Sequence, residues 1–342
     1  MKGSLRLASL DLGTNSTRLL VADCDGSRTE TVDRRMIITR LGEGVDRTRR
    51  LAPEAIERAK AALSEYREVM APLQPAGVTA AATSVLRDCE NGEEFLDIAE
   101  EILGTRPRVL PGVEEAMTSF LGAVSDLGEE LKAAGDAGPV LVFDIGGGST
   151  ELVSGEPSIT RGGAEPPGDA LRLKSVDVGC VRMSERFLTA DPPSPVSIGR
   201  MESYIVQLLK PAIASLLPEK PRGSLSRVSP GPARWSLGVG LAGTVTTISG
   251  INMGLEEYDT DRIHHSNLTR DQVEQIFRKL ASVPLDERKK AMGLEPGRAD
   301  IIVGGAAVLR VVMDVARLEE ILVSEKDILD GLVIDLYWRL AT

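Results

Sequence analysis

The fold is decided by the stretch Val140-Leu-Val-Phe-Asp144-Ile-Gly-Gly-Gly-Ser-Thr-Glu151-Leu-Val153. An apolar run ends at an aspartate, glycines and hydroxyl residues follow, and a second apolar run begins after a glutamate. This order predicts a strand, a tight turn and a second strand. Glycines in the turn let backbone N–H groups approach a ligand closely, and consecutive exposed N–H groups form a concavity that suits phosphate. Asp144 and Glu151 add the carboxylates that a magnesium–phosphate site requires.

The same arrangement occurs near the start of the chain. An apolar run over 5–10 leads into Asp11-Leu-Gly-Thr-Asn-Ser-Thr-Arg18, and Leu19-Leu-Val21 follows. The two aspartates are 144 − 11 = 133 positions apart, which is about the length of one domain. An internal duplication is the simplest interpretation, with one phosphate-holding hairpin in each half.

The composition is that of a globular protein. The chain has 342 residues, of which 42% are hydrophobic, and this is enough for two domains of typical size. No apolar run approaches the ~20 residues that span a membrane, so we expect no membrane association. The net charge of −11 argues against a nucleic-acid partner, which would select a basic surface. Cys24, Cys89 and Cys180 are widely spaced and indicate reduced thiols in a cytoplasmic protein.

The remaining sequence alternates strand-like and helix-like segments, which indicates an α/β architecture. Strands are predicted at 5–10, 17–23, 36–41 and 78–83. Helices are predicted from Pro53 and at 91–103, 114–131, 196–217, 271–282, 300–315 and 326–340. The proline-rich segment 218–235 is predicted to be a mobile insertion.

A third glycine-rich turn follows in the second half. Gly238-Val-Gly-Leu-Ala-Gly243 fits Gly-x-Gly-x-x-Gly, but it lacks the opening βαβ unit of a dinucleotide site. We therefore interpret Gly243 and Thr244 as a turn that faces the phosphates. No Gly-x-x-x-x-Gly-Lys-Ser/Thr sequence occurs, which excludes a P-loop.

The doubled hairpin and the late Gly-Thr turn resemble the actin, heat-shock-70 and sugar-kinase superfamily. Finer matches resemble the exopolyphosphatase and guanosine pentaphosphate phosphatase (Ppx/GppA) family, and they run in order along the chain: Asp11–Arg18, Arg40–Gly44, Ala82–Asn91, Leu110–Ala116, Asp144–Leu152, Pro296–Asp300 and Ser324–Gly331. The resemblance implies an α/β fold of two related actin-like, ribonuclease H-like domains facing across a cleft. They would comprise residues 1–130 and 131–342, with helix 326–340 returning to the first domain.

The resemblance also implies roles for individual residues. Glu115 would be the general base, although the helix dipole alone explains an acid at a helix N-terminus equally well. Arg87 would contact a phosphate oxygen. Mg²⁺, or alternatively Mn²⁺, would be held by Asp11, Asp144 and Glu151. Phosphate would be bound by Thr14, Asn15, Ser16, Arg18, Gly146, Gly147, Gly148, Ser149, Thr150, Gly243 and Thr244.

These features predict an exopolyphosphatase that releases terminal phosphate from inorganic polyphosphate. Short chains are expected, because Asp327-Ile-Leu-Asp330 stands where many family members have Leu-Arg-Glu. Three alternatives stay open: hydrolysis of guanosine pentaphosphate to the tetraphosphate, an actin-like nucleotide-dependent ATPase or kinase, and non-catalytic binding of guanosine polyphosphates, which could also act as inhibitors. The resemblance implies a homodimer. We assign no catalytic role to His264 and His265.

Overall fold

The computed structural model describes residues 3–128, 130, 139–155, 171–217 and 235–341. The predicted insertion lies outside these residues, except for its last position, Trp235. Within the described part of the chain, no helix combines the length and apolar character needed to cross a membrane.

Two β-sheets carry the architecture. Their strands are β1 Leu5–Leu12, β2 Ser16–Cys24, β3 Thr29–Ile38, β4 Gly77–Ala82, β5 Arg108–Val109, β6 Val140–Ile145, β7 Thr150–Gly155, β8 Arg172–Val176, β9 Leu237–Leu241, β10 Asn267–Thr269 and β11 Glu320–Val323. The helices are α1 Val45–Thr48, α2 Pro53–Leu73, α3 Ser84–Asp88, α4 Gly92–Leu103, α5 Gly112–Val124, α6 Cys180–Phe187, α7 Pro195–Leu216, α8 Ala242–Met253, α9 Thr260–Ile263, α10 Arg270–Ala281, α11 Leu285–Arg288, α12 Ile302–Ala316 and α13 Ile328–Ala341.

The two sheets share one topology. The first has the order β3-β2-β1-β4-β5, and the second has the order β10-β11-β9-β6-β7-β8. In the first, β1 pairs antiparallel with β2 and parallel with β4; in the second, β6 pairs antiparallel with β7 and parallel with β9. Read in reverse, β8-β7-β6-β9-β11 repeats the order of the first sheet, with β10 added at its edge. The topology therefore shows the duplication that the two hairpins predicted.

The register of the two hairpins is also equivalent. Asp11 pairs with Arg18 across β1 and β2, and Asp144 pairs with Glu151 across β6 and β7. Each aspartate is the second-last residue of its strand. Both hairpins thus deliver an aspartate to the same place beside their turns.

Two helices each pack against the sheet of the other half of the molecule. Helix α5 follows the first sheet, yet Ala116 and Phe120 pack in a cluster with Val142 of the second sheet. Helix α13 follows the second sheet, yet Val333 packs with Leu20 of the first. These two helices therefore connect the halves. The division into domains at 130/131 stays a proposal.

The third strand differs from its prediction at 36–41. It begins at Thr29 because Asp25 Oδ1 accepts hydrogen bonds from the backbone N–H groups of Ser27 and Arg28, at 2.9 Å each, and closes a turn directly after β2. It ends at Ile38, before Arg40 adopts a left-handed φ of 48°. The predicted helix 114–131 likewise begins earlier and ends at Val124.

The crossover helices meet through glycine. A Cβ atom on Gly122 would lie 1.8 Å from the carbonyl oxygen of Asp327, and one on Gly331 would lie 1.9 Å from that of Thr118. Only the absence of a side chain allows the two backbones to approach so closely.

We expect Gly122→Ala to lower the free energy of unfolding by about 1–3 kcal/mol or more, because the added methyl group overpacks the contact and must push α5 away from α13. Urea denaturation measures the change. Gly199→Ala on α7 is the matched control: its added Cβ would meet nothing within 4 Å, so helix propensity should stabilise that variant by up to about 1 kcal/mol. Equal stability of Gly122→Ala and the wild type would contradict this account of the crossover.

Candidate active site

The two hairpin turns open into one small cleft of about 70 Å³. Most of the residues predicted for the site line it: Asp11, Thr14, Asn15, Ser16, Arg18, Glu115, Asp144, Gly146, Gly147, Ser149, Gly243 and Thr244. Arg87, Gly148, Thr150 and Glu151 do not line it.

The turns contact each other directly. A Cβ atom on Gly147 would lie 2.7 Å from Thr14 Cβ, and one on Gly148 would lie 2.4 Å from Ser84 Oγ. Thr14 Oγ1 and Ser84 Oγ are hydrogen-bonded at 3.0 Å. Glycines at 147 and 148 are therefore what lets the second turn approach the first.

Two polar atoms in the cleft are buried without a partner. Asp11 Oδ1 has no hydrogen-bond donor and Asn15 Nδ2 has no acceptor among the described residues. An orphaned carboxylate oxygen suits a cation, and an orphaned amide N–H suits an anion. The pair therefore fits a divalent ion together with a phosphate oxygen.

Arg18 is held by two carboxylates. Its Nε and Nη2 donate to Asp11 Oδ2 at 3.0 and 2.7 Å, and its Nη1 donates to Asp327. Asp327 Oδ1 also accepts from the backbone N–H of Leu329 at 3.0 Å, at the start of α13. Asp327 is therefore part of the site, although the sequence had marked its position only for a missing arginine.

Glu115 lies near the N-terminus of α5 and is only 8% exposed. Arg87 Nη1 donates to Glu115 Oε2 at 2.6 Å and to the carbonyl oxygen of Leu110 at 2.7 Å. Burial raises the pKa of Glu115 to about 7, although Arg87 opposes the rise. Such a carboxylate can accept a proton near neutral pH, and Arg87 fixes its orientation.

Asp144 and Glu151 are also buried. Burial raises the pKa of Asp144 to about 6, with the charge of Asp327 adding to the effect. Burial also raises the pKa of Glu151 well above its usual range, with the charge of Glu115 as the next cause. Ser119 donates to Asp144 Oδ2 at 3.0 Å, and Ser175 donates to Glu151 Oε1 at 2.8 Å. The cleft thus concentrates carboxylates whose ionisation a bound cation would favour.

The three predicted metal ligands do not gather around one point. Asp11, Asp144 and Glu151 are not among the described sets of three donors whose ligand atoms lie within 4.8 Å of one another. Mg²⁺ is commonly held by one or two carboxylates together with substrate phosphates. Asp11 and Asp144, which line the cleft, fit that smaller role, whereas Glu151 does not line it.

Gly148 and Thr150 make hydrogen bonds that stabilise the second turn. The carbonyl oxygen of Gly148 accepts from Arg182 Nε at 2.8 Å, and Thr150 Oγ1 donates to the carbonyl oxygen of Val178. Arg182 continues to Asp46 and Asp88 of the first half. This ion-pair group, which sequence reasoning missed, ties the second turn across the cleft.

The predicted Gly243–Thr244 turn is instead the first turn of helix α8, which begins at Ala242 directly after β9. Gly243 faces Arg298, because a Cβ at Gly243 would lie 2.0 Å from Arg298 Nη1. Arg298 lines the cleft and a neighbouring cavity of about 540 Å³. Sequence reasoning assigned Arg298 no role, although it belongs to the Pro296–Asp300 match.

The neighbouring cavity has a mixed lining. Arg18, Arg34, Arg35 and Arg298 line it, together with Met36, Leu255, Tyr258, Leu294 and Pro296. It is large enough for a nucleoside, and its apolar groups offer a surface on which a heterocyclic base could lie.

Comparisons with known proteins place the chain among phosphatases. Residues 20–339 match the family model described as the Ppx/GppA phosphatase family. The chain is 36% identical to exopolyphosphatase 2 of Mycobacterium tuberculosis, and the match covers 97% of this chain and 98% of that protein.

Solved structures match the fold. An exopolyphosphatase-like protein has a TM-score of 0.84 at 36% identity and covers 100% of both chains. The Ppx/GppA family member of Aquifex aeolicus has a TM-score of 0.74 at 26% identity and covers 99% of both. The predicted α/β fold of two related halves is confirmed, and its relation to actin stays a prediction.

Proposed function

Because the chain belongs to the Ppx/GppA phosphatase family, we propose that it is an exopolyphosphatase that releases the terminal phosphate of inorganic polyphosphate. The observation that supports this proposal most directly is that the two hairpin turns meet in one cleft, which Glu115 also lines. The relative in Mycobacterium tuberculosis bears the name exopolyphosphatase.

The reaction follows from this geometry. The backbone N–H groups of Gly13 and Gly146 close their own turns, so the N–H groups at 14–16 and 147–149 hold the terminal phosphate, and Asn15 Nδ2 donates to one of its oxygens. Glu115 accepts a proton from a water molecule whose oxygen forms the new bond to phosphorus. The bridging P–O bond breaks, and the chain leaves one phosphate shorter. Hydrolysis of a phosphoanhydride depends chiefly on such positioning and on charge neutralisation.

Magnesium is the proposed cofactor, with manganese as the alternative. Asp11 and Asp144 would hold the ion, as the unpartnered Asp11 Oδ1 supports. When bound, the ion supplies charge neutralisation for the phosphate oxygens. Burial and crowding of the carboxylates favour that occupancy, because they raise the free energy of the ionised groups without a cation.

The short-chain preference is supported by the engaged arginines. Arg18 binds Asp11 and Asp327, and Arg34 binds Asp330. These aspartates partly neutralise the two arginines, so fewer positively charged side chains are left to bind a long polyphosphate chain. A cytoplasmic location accords with the free thiols of Cys24, Cys89 and Cys180. The homodimer stays a prediction from the family resemblance.

Hydrolysis of guanosine pentaphosphate is the second candidate. The cavity of about 540 Å³ that shares Arg18, Gly243 and Arg298 with the cleft favours it. Its apolar lining offers contacts to a base that an inorganic chain does not need. Guanosine polyphosphates bound there could act as substrates or as inhibitors.

We expect Glu115→Gln to lower kcat on tripolyphosphate by about 10²–10⁴-fold, as loss of a general base does. In the wild type, kcat/KM should fall as the pH drops below about 7, because Glu115 must be ionised to accept a proton and burial raises its pKa to about 7. Phosphate release across pH 5.5–9 measures both effects. Glu114→Gln, at the exposed neighbouring position, should retain activity. Wild-type turnover in Glu115→Gln would remove Glu115 from the base role.

A substrate panel separates the two functions. Phosphate release is measured in parallel on tripolyphosphate, long-chain polyphosphate, guanosine pentaphosphate and ATP, each with Mg²⁺. We expect the highest kcat/KM on tripolyphosphate. A higher value on guanosine pentaphosphate would support the second candidate, and turnover of ATP alone would contradict both.

A further inference from the structure

A cluster of two histidines and two carboxylates lies apart from the residues that line the cleft. It forms where the segment after α5, with Asp126 and Glu130, meets His264 and His265 before β10. His264 Nε2 lies 2.9 Å from Asp126 Oδ2, and His265 Nε2 lies 3.6 Å from Asp126 Oδ1. The imidazole rings lie against each other with centroids 3.9 Å apart and planes inclined by 35°. One ligand atom each from Asp126, His264 and His265 lies within 4.8 Å of the others.

Neighbouring groups favour one tautomer of each ring. The backbone N–H of Glu325 donates to His264 Nδ1 at 3.1 Å, so a neutral His264 carries its proton on Nε2 and donates it to Asp126 Oδ2. His265 Nδ1 lies 3.2 Å from Glu130 Oε1, which is closer than the 3.6 Å between His265 Nε2 and Asp126 Oδ1, so the carboxylate of Glu130 favours a neutral His265 with its proton on Nδ1. The lone pair of His265 Nε2 then faces the lone pairs of Asp126 Oδ1.

The facing atoms lack other partners. Asp126 Oδ1, His265 Nε2 and Glu130 Oε2 are buried without a hydrogen-bond partner among the described residues. The nearby ammonium of Lys326 is bound to Thr29, whose carbonyl oxygen lies at 2.8 Å. Two facing lone pairs repel each other, so the arrangement calls for a positive charge between them, either a proton or a metal ion.

We propose that His265 Nε2 and Asp126 Oδ1 are ligands of a divalent transition-metal ion, with Zn²⁺ as the preferred ion. Imidazole and carboxylate together suit zinc, whereas magnesium prefers oxygen ligands alone. Two ligands of a tetrahedral zinc ion are about 3.4 Å apart, close to the 3.6 Å between these atoms. Glu130 Oε1 and His264 act as positioning groups, since they hold the His265 ring and the Asp126 carboxylate.

The ion would join the segment after α5 to the segment before β10. Asp126 follows α5, whose first turn carries Glu115. His265 is tied to β11, because its backbone N–H donates to the carbonyl oxygen of Val323 at 2.8 Å. Zinc bound there would hold the far end of the crossover helix against the second sheet and stabilise the folded protein.

The test uses the full-length protein, stripped with chelator and returned to buffer with excess Mg²⁺. After addition of Zn²⁺ and desalting, we expect one zinc per chain by elemental analysis and a raised Tm. Asp126→Asn and His265→Gln should each weaken zinc binding at least tenfold, and His264→Gln should weaken it about 10–100-fold, as positioning residues do. Asp144→Asn, which alters the cleft alone, should keep the zinc.

Other outcomes overturn the proposal. Wild-type protein that retains no zinc beyond the level of Asp126→Asn would show that a proton holds the cluster. Loss of zinc in Asp144→Asn, with retention in Asp126→Asn, would assign the ion to the cleft. If the substituted proteins do not fold, X-ray absorption of the zinc-loaded wild type decides, since a coordination sphere without imidazole contradicts the proposal.

Discussion

The cleft depends on the contact between the two hairpin turns. One phosphate chain can be held from both sides only if two backbones come within reach of it, and Gly147 meets Thr14 with no room for a Cβ atom. The same register sets Asp11 and Asp144 beside their turns. The crossover helices α5 and α13 maintain this contact, because each follows one sheet along the chain and packs against the other. Duplication thus supplies the two turns, and the exchanged helices hold them together.

Charge within the cleft is the second constraint. The protein carries a net charge of −11, and the site itself buries several carboxylates whose pKa values are raised by that burial. Such a site would repel a polyanion unless a cation accompanies it. Burial makes ionisation of these carboxylates unfavourable, and a bound metal ion offsets that cost. The same carboxylates therefore favour binding of a metal–phosphate complex over phosphate alone. Arg18 shows the balance, since Asp11 and Asp327 both bind it.

The sequence predicted what local pattern encodes. Apolar runs around Asp-x-Gly identified both hairpins, and proline at the first helical position identified the start of α2 at Pro53. It did not predict the start of β3, because the Asp25–Arg28 turn was not recognised. Contacts between distant segments left no local signal: Arg182 reaches Asp46 across 136 positions, and Arg18 reaches Asp327 across 309. The pairing of Arg87 with Glu115 is of the same kind, so the chain revealed the acid but not the group that orients it.

Hydrogen–deuterium exchange of the Glu115→Gln protein, with and without tripolyphosphate and Mg²⁺, tests most directly whether both turns hold one phosphate chain. If they do, backbone amides in 14–16 and in 147–149 become protected together, at the same tripolyphosphate concentration. Protection of one turn while the other exchanges unchanged would contradict a shared grip across the cleft.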